Sequence, residues 1–239
     1  MSELNVRAVE TPVFPLRGDL LKFISESFPK SLVQERMVLA VTSKIVSLAE
    51  GRIEAKGSIE KAELIRREAD VFLGEAGYGC MLTIKEGLFI PSAGIDESNS
   101  AGGDFILYPA KPFDSARLLW EGLRKHWGLN ELGILLTDSR TFPLRWGVTG
   151  VCLSYWGFRA VKSMIGTEDI FGRELQMTKI NRADAFAAAA VVAMGEGRER
   201  RPLAVLTGME CEFSDHTDPS ELQIPLKDDL YMPLFRGLL

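Results

Sequence analysis

Three short stretches of the chain release oxygen-bearing side chains where an apolar run gives out. Residues 92–100 read SAGIDESNS and set Asp96, Ser98 and Asn99 after GLFIP. Asp138 and Ser139 follow the run LGILLT, and Glu196 follows AFAAAAVVAM. Carboxylate, hydroxyl and amide oxygens are the donors that suit magnesium or manganese. A magnesium ion typically takes only one or two carboxylates, with waters and substrate phosphates completing its shell. Basic residues show the same placement: Lys44 ends the run MVLAVTSK, and Arg140 and Arg145 follow Asp138. Arginine forks grip carboxylates and phosphates through two bonds, and lysine acts as a point charge. Together these residues would handle anionic, phosphate-bearing molecules. Each alone reads equally well as a turn or a solvated charge.

What the chain lacks narrows the chemistry. It contains no P-loop, no dinucleotide fingerprint and no nucleophile elbow. His126 and His216 are its two histidines; the first lies in a charged helical segment and the second in a polar tail, so neither a histidine triad nor a zinc hydrolase is expected. Cys80, Cys152 and Cys211 are odd in number, far apart and form no C-x-x-C pair. That usage fits a reducing, cytoplasmic setting. The 239 residues are 46% hydrophobic and 26% charged, enough for a core without staples. A formal net charge of -5 offers no global attraction to nucleic acid or to an anionic membrane, and no apolar run is long enough to span one.

The elements that must position these residues are legible in outline. Met37 to Thr42 predicts a buried strand. Ser58 is placed to cap a helix running to Gly74. Residues 80–90 predict a hairpin turning at Glu86-Gly87, and Asp104 to Tyr108 another strand. Asp114 or Ser115 would start a helix that stops at Gly128. Strands are expected at Leu132 to Leu136, Gly150 to Phe158 and Arg201 to Thr207, with a helix from Asp184 to about Gly195. Strands adjoin strands and helices come singly, which favours an α+β fold.

Five segments in order carry a resemblance. They are VTSKIVSLAEGR at 41–52, AGIDESN at 93–99, TDSRTFPLRWG at 137–147, DIFGRELQMT at 169–178 and ADAFAAAAVVAMGEGRERRP at 183–202. This arrangement resembles the coenzyme F-420-0:L-glutamate ligase family, the gamma-glutamyl ligases. The resemblance implies an α+β fold of two intertwined subdomains with mostly antiparallel sheets over residues 1–210, a C-terminal extension at 211–239, and a homodimer. It implies a GTP- or ATP-driven amide bond between L-glutamate and the carboxylate of coenzyme F-420-0, assisted by two magnesium or manganese ions and stimulated by potassium. By motif, Asp96, Asp138, Ser139 and Glu196 stand as metal ligands. Pro15, Leu16, Arg17, Ser43, Lys44, Asn99, Met194, Gly195, Glu196 and Gly197 stand at nucleotide contacts. Arg140 and Arg145 would neutralise the reacting anions.

The chain also departs from the family's pattern. Thr141-Phe142 replaces a Gly-Arg pair, Leu144-Arg145-Trp146 alters the order that follows, and Leu48 replaces a lysine. Two alternatives therefore stay open: a folate gamma-glutamate ligase, and a nucleotide- or metabolite-binding protein that has lost ligation.

Overall fold

The computed structural model describes residues 3–238. Strand β1 (Asn5–Val9) and helix α1 (Leu20–Ser27) precede β2 (Met37–Thr42) and α2 (Ser43–Glu50). A smaller unit follows: β3 (Ile53–Glu54), α3 (Lys61–Glu68), β4 (Val71–Glu75), the hairpin β5 (Met81–Lys85) and β6 (Leu88–Pro91), and β7 (Phe105–Ile106). Helix α4 (Pro112–Trp127) leads into the long hairpin β8 (Leu132–Thr141) and β9 (Val148–Trp156). A second arm is closed by β10 (Val161–Ser163) and β11 (Lys179–Asn181), and α5 (Arg182–Met194) and β12 (Leu203–Thr207) return the chain to the centre.

The main sheet has the order β1-β12-β2-β8-β9. All neighbours are antiparallel except β2 and β8. This is the mixed, mostly antiparallel α+β architecture the sequence predicts. MVLAVT in β2 is apolar throughout because both faces of the sheet are covered. Met37, Leu39 and Val41 join Ile24, Leu123 and Ile134 in one core layer. Val38 and Ala40 join Tyr155, Phe186 and Ala187 in the other. The alanines of α5 let that helix lie close on the sheet. A Cβ on Gly150 of β9 would stand 2.2 Å from the Ala187 carbonyl oxygen, so the approach needs glycine there. A third core layer holds the smaller unit, with Leu64 and Ile65 of α3 against Met81, Ile95 and Leu107.

Several boundaries differ from the sequence expectation. Helix α3 ends at Glu68 instead of near Gly74, because Val71 to Glu75 pair with β5. β-branched and aromatic residues beside a hairpin gain more as a strand than as a fourth helical turn. Ser58 does not cap α3; its hydroxyl bonds the Glu54 carboxylate and the Ala55 carbonyl, and Glu60 is the cap residue. Helix α4 starts earlier, at Pro112, with proline in its first turn where no N–H is needed. The strand expected at 104–108 contracts to Phe105–Ile106. Strand β8 continues to Thr141, so Asp138, Ser139 and Arg140 lie inside it and not beyond its end. The hairpin turn at Glu86-Gly87 forms as expected, with φ of 52° and 74° at its two residues.

Candidate active site

One cavity of about 410 Å³ gathers residues from five parts of the chain, residues 11–14 among them. The parallel register Thr42↔Thr137 brings the ends of β2 and β8 side by side. Lys44 enters from the first turn of α2, and Thr137, Asp138 and Ser139 from β8. The end of α5 adds Met194 to Gly197, and the loop after β6 adds Asp96, Ser98 and Asn99. Sites commonly form beyond the carboxyl ends of adjacent parallel strands, where the following segments diverge.

The loop is held by its backbone. Asp96 exchanges both main-chain hydrogen bonds with Ile106, at 3.0 and 2.7 Å. Its Oδ2 lies 2.6 Å from Lys44 Nζ, and its Oδ1 accepts the Ser98 N–H at 2.6 Å. Lys44 also donates to the Ser98 carbonyl and hydroxyl at 3.0 and 3.1 Å. Burial works to raise the Asp96 carboxyl, but the Lys44 ammonium and the Ser98 bonds outweigh it and hold it below the usual range. Asn99 reaches across the cavity and donates to the Gly197 carbonyl at 3.3 Å.

Asp138 behaves in the opposite way. It sits at the cavity floor, where desolvation pushes its carboxyl up to about 6. The Tyr108 hydroxyl, donating to its Oδ2 at 2.5 Å, pulls back, while the charges of Asp96 and Glu196 add to the rise. Glu196 lies at the rim. Partial desolvation raises it, Ser139 and Lys44 oppose that rise, and Asp96 adds to it. Three carboxylates that repel one another across a cavity are relieved by a cation placed between them.

The chain matches the model of the F420-0:Gamma-glutamyl ligase family over residues 8–208. It belongs to that family. The Coenzyme F420:L-glutamate ligase of Methanopyrus kandleri is 31% identical over 84% of this chain and 85% of its own length. The protein of the same name from Haloarcula marismortui is 34% identical over 82% of this chain and 84% of its own. That from Methanocaldococcus jannaschii is 28% identical over 96% and 97%. No helix among the described residues is long and apolar enough to cross a membrane.

In this member of the family, most of the residues expected at the site do meet. Lys44, Asp96, Asn99, Asp138, Ser139, Met194, Gly195, Glu196 and Gly197 all line the cavity. Ser43 is buried at the start of α2 and does not line the cavity. Pro15, Leu16 and Arg17 form an exposed turn tied to α2 by the Arg17 N–H bonding Leu48 O. The four residues just before that turn, 11–14, are the ones that line the cavity. Arg140 lays its guanidinium over Phe142 at 4.4 Å, and Arg145 is exposed on the loop joining β8 to β9; neither lines the cavity.

The donor set is all oxygen, as magnesium or manganese prefers. Among the described residues no three His, Cys, Asp or Glu side chains stand together as a ready cage. Thr137 Oγ1, buried at the floor, has no partner of its own. Two or three separated carboxylates and an unpartnered hydroxyl fit an ion that arrives with phosphates and water. Sequence reasoning placed Thr137 just past the strand end at Leu136 without giving it a role, and it missed Tyr108, which as the end of DFILY gives no signal of its own.

Proposed function

We propose that this chain is a metal-dependent, nucleotide-driven gamma-glutamyl ligase that adds L-glutamate to the terminal carboxylate of coenzyme F420-0 or a related cofactor. The reading rests on one observation: in a chain of this family, Lys44, Asp96, Asp138, Ser139 and the glycine-flanked end of α5 open into a single cavity.

Nucleotide, acceptor and glutamate are all anionic, so the site must neutralise charge before it can align them. Lys44 supplies an ammonium already directed at the cavity, and Asp96 keeps it there. Gly195 and Gly197 keep the chain after α5 slim; the Gly195 N–H bonds the Val191 carbonyl at 2.9 Å and the Gly197 N–H bonds the Glu199 carboxylate at 2.8 Å, so a phosphate chain would reach the Gly197 N–H by displacing Glu199. Asn99 closes that loop from the opposite wall. Asp96, Asp138, Ser139 and Glu196 would hold two magnesium or manganese ions, which supply neutralisation of the transferring phosphoryl group.

The reaction then proceeds in two balanced steps. The γ-phosphoryl passes from GTP or ATP to the acceptor carboxylate, giving an acyl phosphate and the nucleoside diphosphate. The amine of glutamate attacks the acyl carbon, phosphate leaves with the C–O electron pair, and the amine loses a proton to solvent. Neither step needs a histidine or a side-chain nucleophile, in keeping with the residues that line the cavity. A homodimer fits the exposed apolar residues of the two arms, among them Leu144, Trp146, Ile170 and Phe171.

A ligation assay read by mass spectrometry tests the proposal. The protein receives manganese, magnesium, GTP, ATP and labelled glutamate, with F420-0 and a reduced folate as competing acceptors. A gain of one glutamate on F420-0 supports the reading, and a gain on folate alone reassigns the acceptor. Nucleotide binding without cleavage under either acceptor would leave a binding protein and overturn it.

A further inference from the structure

One carboxylate of the cavity, Asp138, is held from behind the floor by a phenol. Tyr108 is 3% exposed, and its ring packs with Ile90 and Leu153. Its backbone is fixed as well. Its carbonyl accepts from Arg52 Nε at 3.0 Å, and Arg52 is itself paired with Glu68 of α3 at 2.6 Å. The neighbouring Leu107 N–H bonds the Arg52 carbonyl at 3.0 Å. A side chain clamped at both ring and backbone presents its hydroxyl at one place only. That place is Asp138 Oδ2, at 2.5 Å.

The loop that carries Asp96 is the other side of this clamp. Ser92, Ala93 and Gly94 run through left-handed backbone in succession, with φ of 53°, 55° and 69°. Two non-glycine residues in that region are strained unless the surroundings hold them. Here Thr83 Oγ1 accepts the Ala93 N–H at 2.8 Å while donating to the Ile90 carbonyl at 2.5 Å. The turn presses Gly94 against the phenol. A Cβ there would lie 2.3 Å from Tyr108 Cζ and 2.7 Å from its hydroxyl oxygen. The strained turn thus does two things at once: it sends the chain to Asp96 and it backs the ring that holds Asp138.

We propose that Tyr108 is the positioning residue of the metal site, fixing the Asp138 carboxylate by its Oδ2 so that Oδ1 faces the cavity, with the 92–94 turn as its backstop. The inference rests on the ligase reading, in which Asp138 is a metal ligand. A hydroxyl donating to one oxygen settles which oxygen remains for a cation and removes the rotational freedom the carboxylate would lose on binding. Orienting partners of this kind are typically worth 10- to 100-fold in metal affinity or activity.

The test compares wild type, Tyr108→Phe, Gly94→Ala and Asp138→Asn. Binding of Mn²⁺ with GDP, and in parallel with ADP, is followed by electron paramagnetic resonance, with thermal melts in chelator as the control for folding. Tyr108→Phe keeps the ring and its packing, so its melt is expected to stay cooperative. Its Mn²⁺ affinity is expected to fall roughly 10-fold or more, with kcat largely recovered at high Mn²⁺. Gly94→Ala, which displaces the ring and leaves the hydroxyl intact, is expected to shift Mn²⁺ affinity in the same direction. Mn²⁺ affinity within twofold of wild type for a folded Tyr108→Phe overturns the inference while leaving the ligase reading in place. Equal Mn²⁺ binding by wild type and Asp138→Asn would instead overturn the ligand assignment on which it depends.

Discussion

Asp138 and Arg145 belong to the same β8–β9 hairpin, yet they live under opposite conditions. Asp138 lies where β8 still pairs with β9, one residue past the end of its pairing with β2, and where Tyr108 and Ser139 surround its carboxylate. Arg145 lies beyond the paired residues, where the side chains from Thr141 to Val148 are all exposed, including Leu144 and Trp146 at 99% and 97%. The second arm, closed by β10 and β11, is similar: Ile170 and Phe171 stand in solvent at 91% and 76%. On the floor the fold restricts each side chain to one geometry. On the arms it restrains only the backbone. Chemistry that needs fixed distances belongs on the floor, and the apolar arm tips suit contact with another surface.

The sharpest way to break this comparison is to neutralise the floor. Asp138→Asn is expected to reduce ligation on the order of 100-fold or more, the scale of losing a placed charge at a reacting phosphate. The same change should stabilise the metal-free protein. An acid whose carboxyl is raised to about 6 in the fold, from 3.8, is disfavoured there once ionised. The penalty is absent below the lower value, grows between the two, and is complete above pH 6. Melts in chelator should therefore show Asp138→Asn more stable by roughly 1–3 kcal/mol above pH 6, with the gain vanishing near pH 4. A metal-free variant no more stable than wild type at pH 8 would refute that account of the floor.

The root of the second arm offers the next contrast. Glu221, in the segment after β12, accepts from Tyr155 Oη and Ala160 N at 3.0 Å each and lies 3.2 Å from Arg159 Nε. Its side chain is 10% exposed. Glu221→Ala leaves those donors without their acceptor and is expected to cost roughly 2–4 kcal/mol in urea unfolding. A loss no larger than that of a surface substitution would show that the arm is held by other contacts.

Smaller effects are expected at the tips. Leu144→Ser with Trp146→Ser should leave the melting temperature of the protomer unchanged, since neither side chain is buried. Light scattering on wild type and variant tests the proposed dimer: a dimer in the wild type that shifts toward monomer in the variant is expected, and an equal mass for both would remove the arm from the interface. Arg145→Ala should be the mildest of all in stability. A measurable fall in Tm would mean that the tip is packed.

Much of the fold was legible because local chemistry and tertiary structure agree. The Glu86-Gly87 turn needs two residues at positive φ and has them. Gly128 ends α4 in the left-handed region, as a glycine after an amphipathic helix predicts. Helix α2 was not legible. Its eight residues, SKIVSLAE, are too few for a clear period, and it exists because Ile45 and Val46 find a core against the sheet. The end of α3 was misplaced because the choice between a helix and a strand at Val71 depended on the hairpin beside it.

The site divides along the same line. The sequence by itself determined the inventory: oxygen donors, one well-placed lysine, glycines around Glu196, and no histidine in a position to act. Those are properties of residue type and order, and they survive without a fold. Only the tertiary structure decided which of them meet. The parallel pairing of β2 with β8 brings Lys44 and Asp138 to one cavity, and the Asp96–Ile106 bridge brings a remote loop to it. It also decided that Pro15 to Arg17 and Arg145 lie apart from the cavity lining, and that Tyr108, silent in the sequence, stands behind Asp138. The physical reason is that order along a chain limits how far apart two residues can be. Distance and direction are set only when strands pair and side chains are packed against one another.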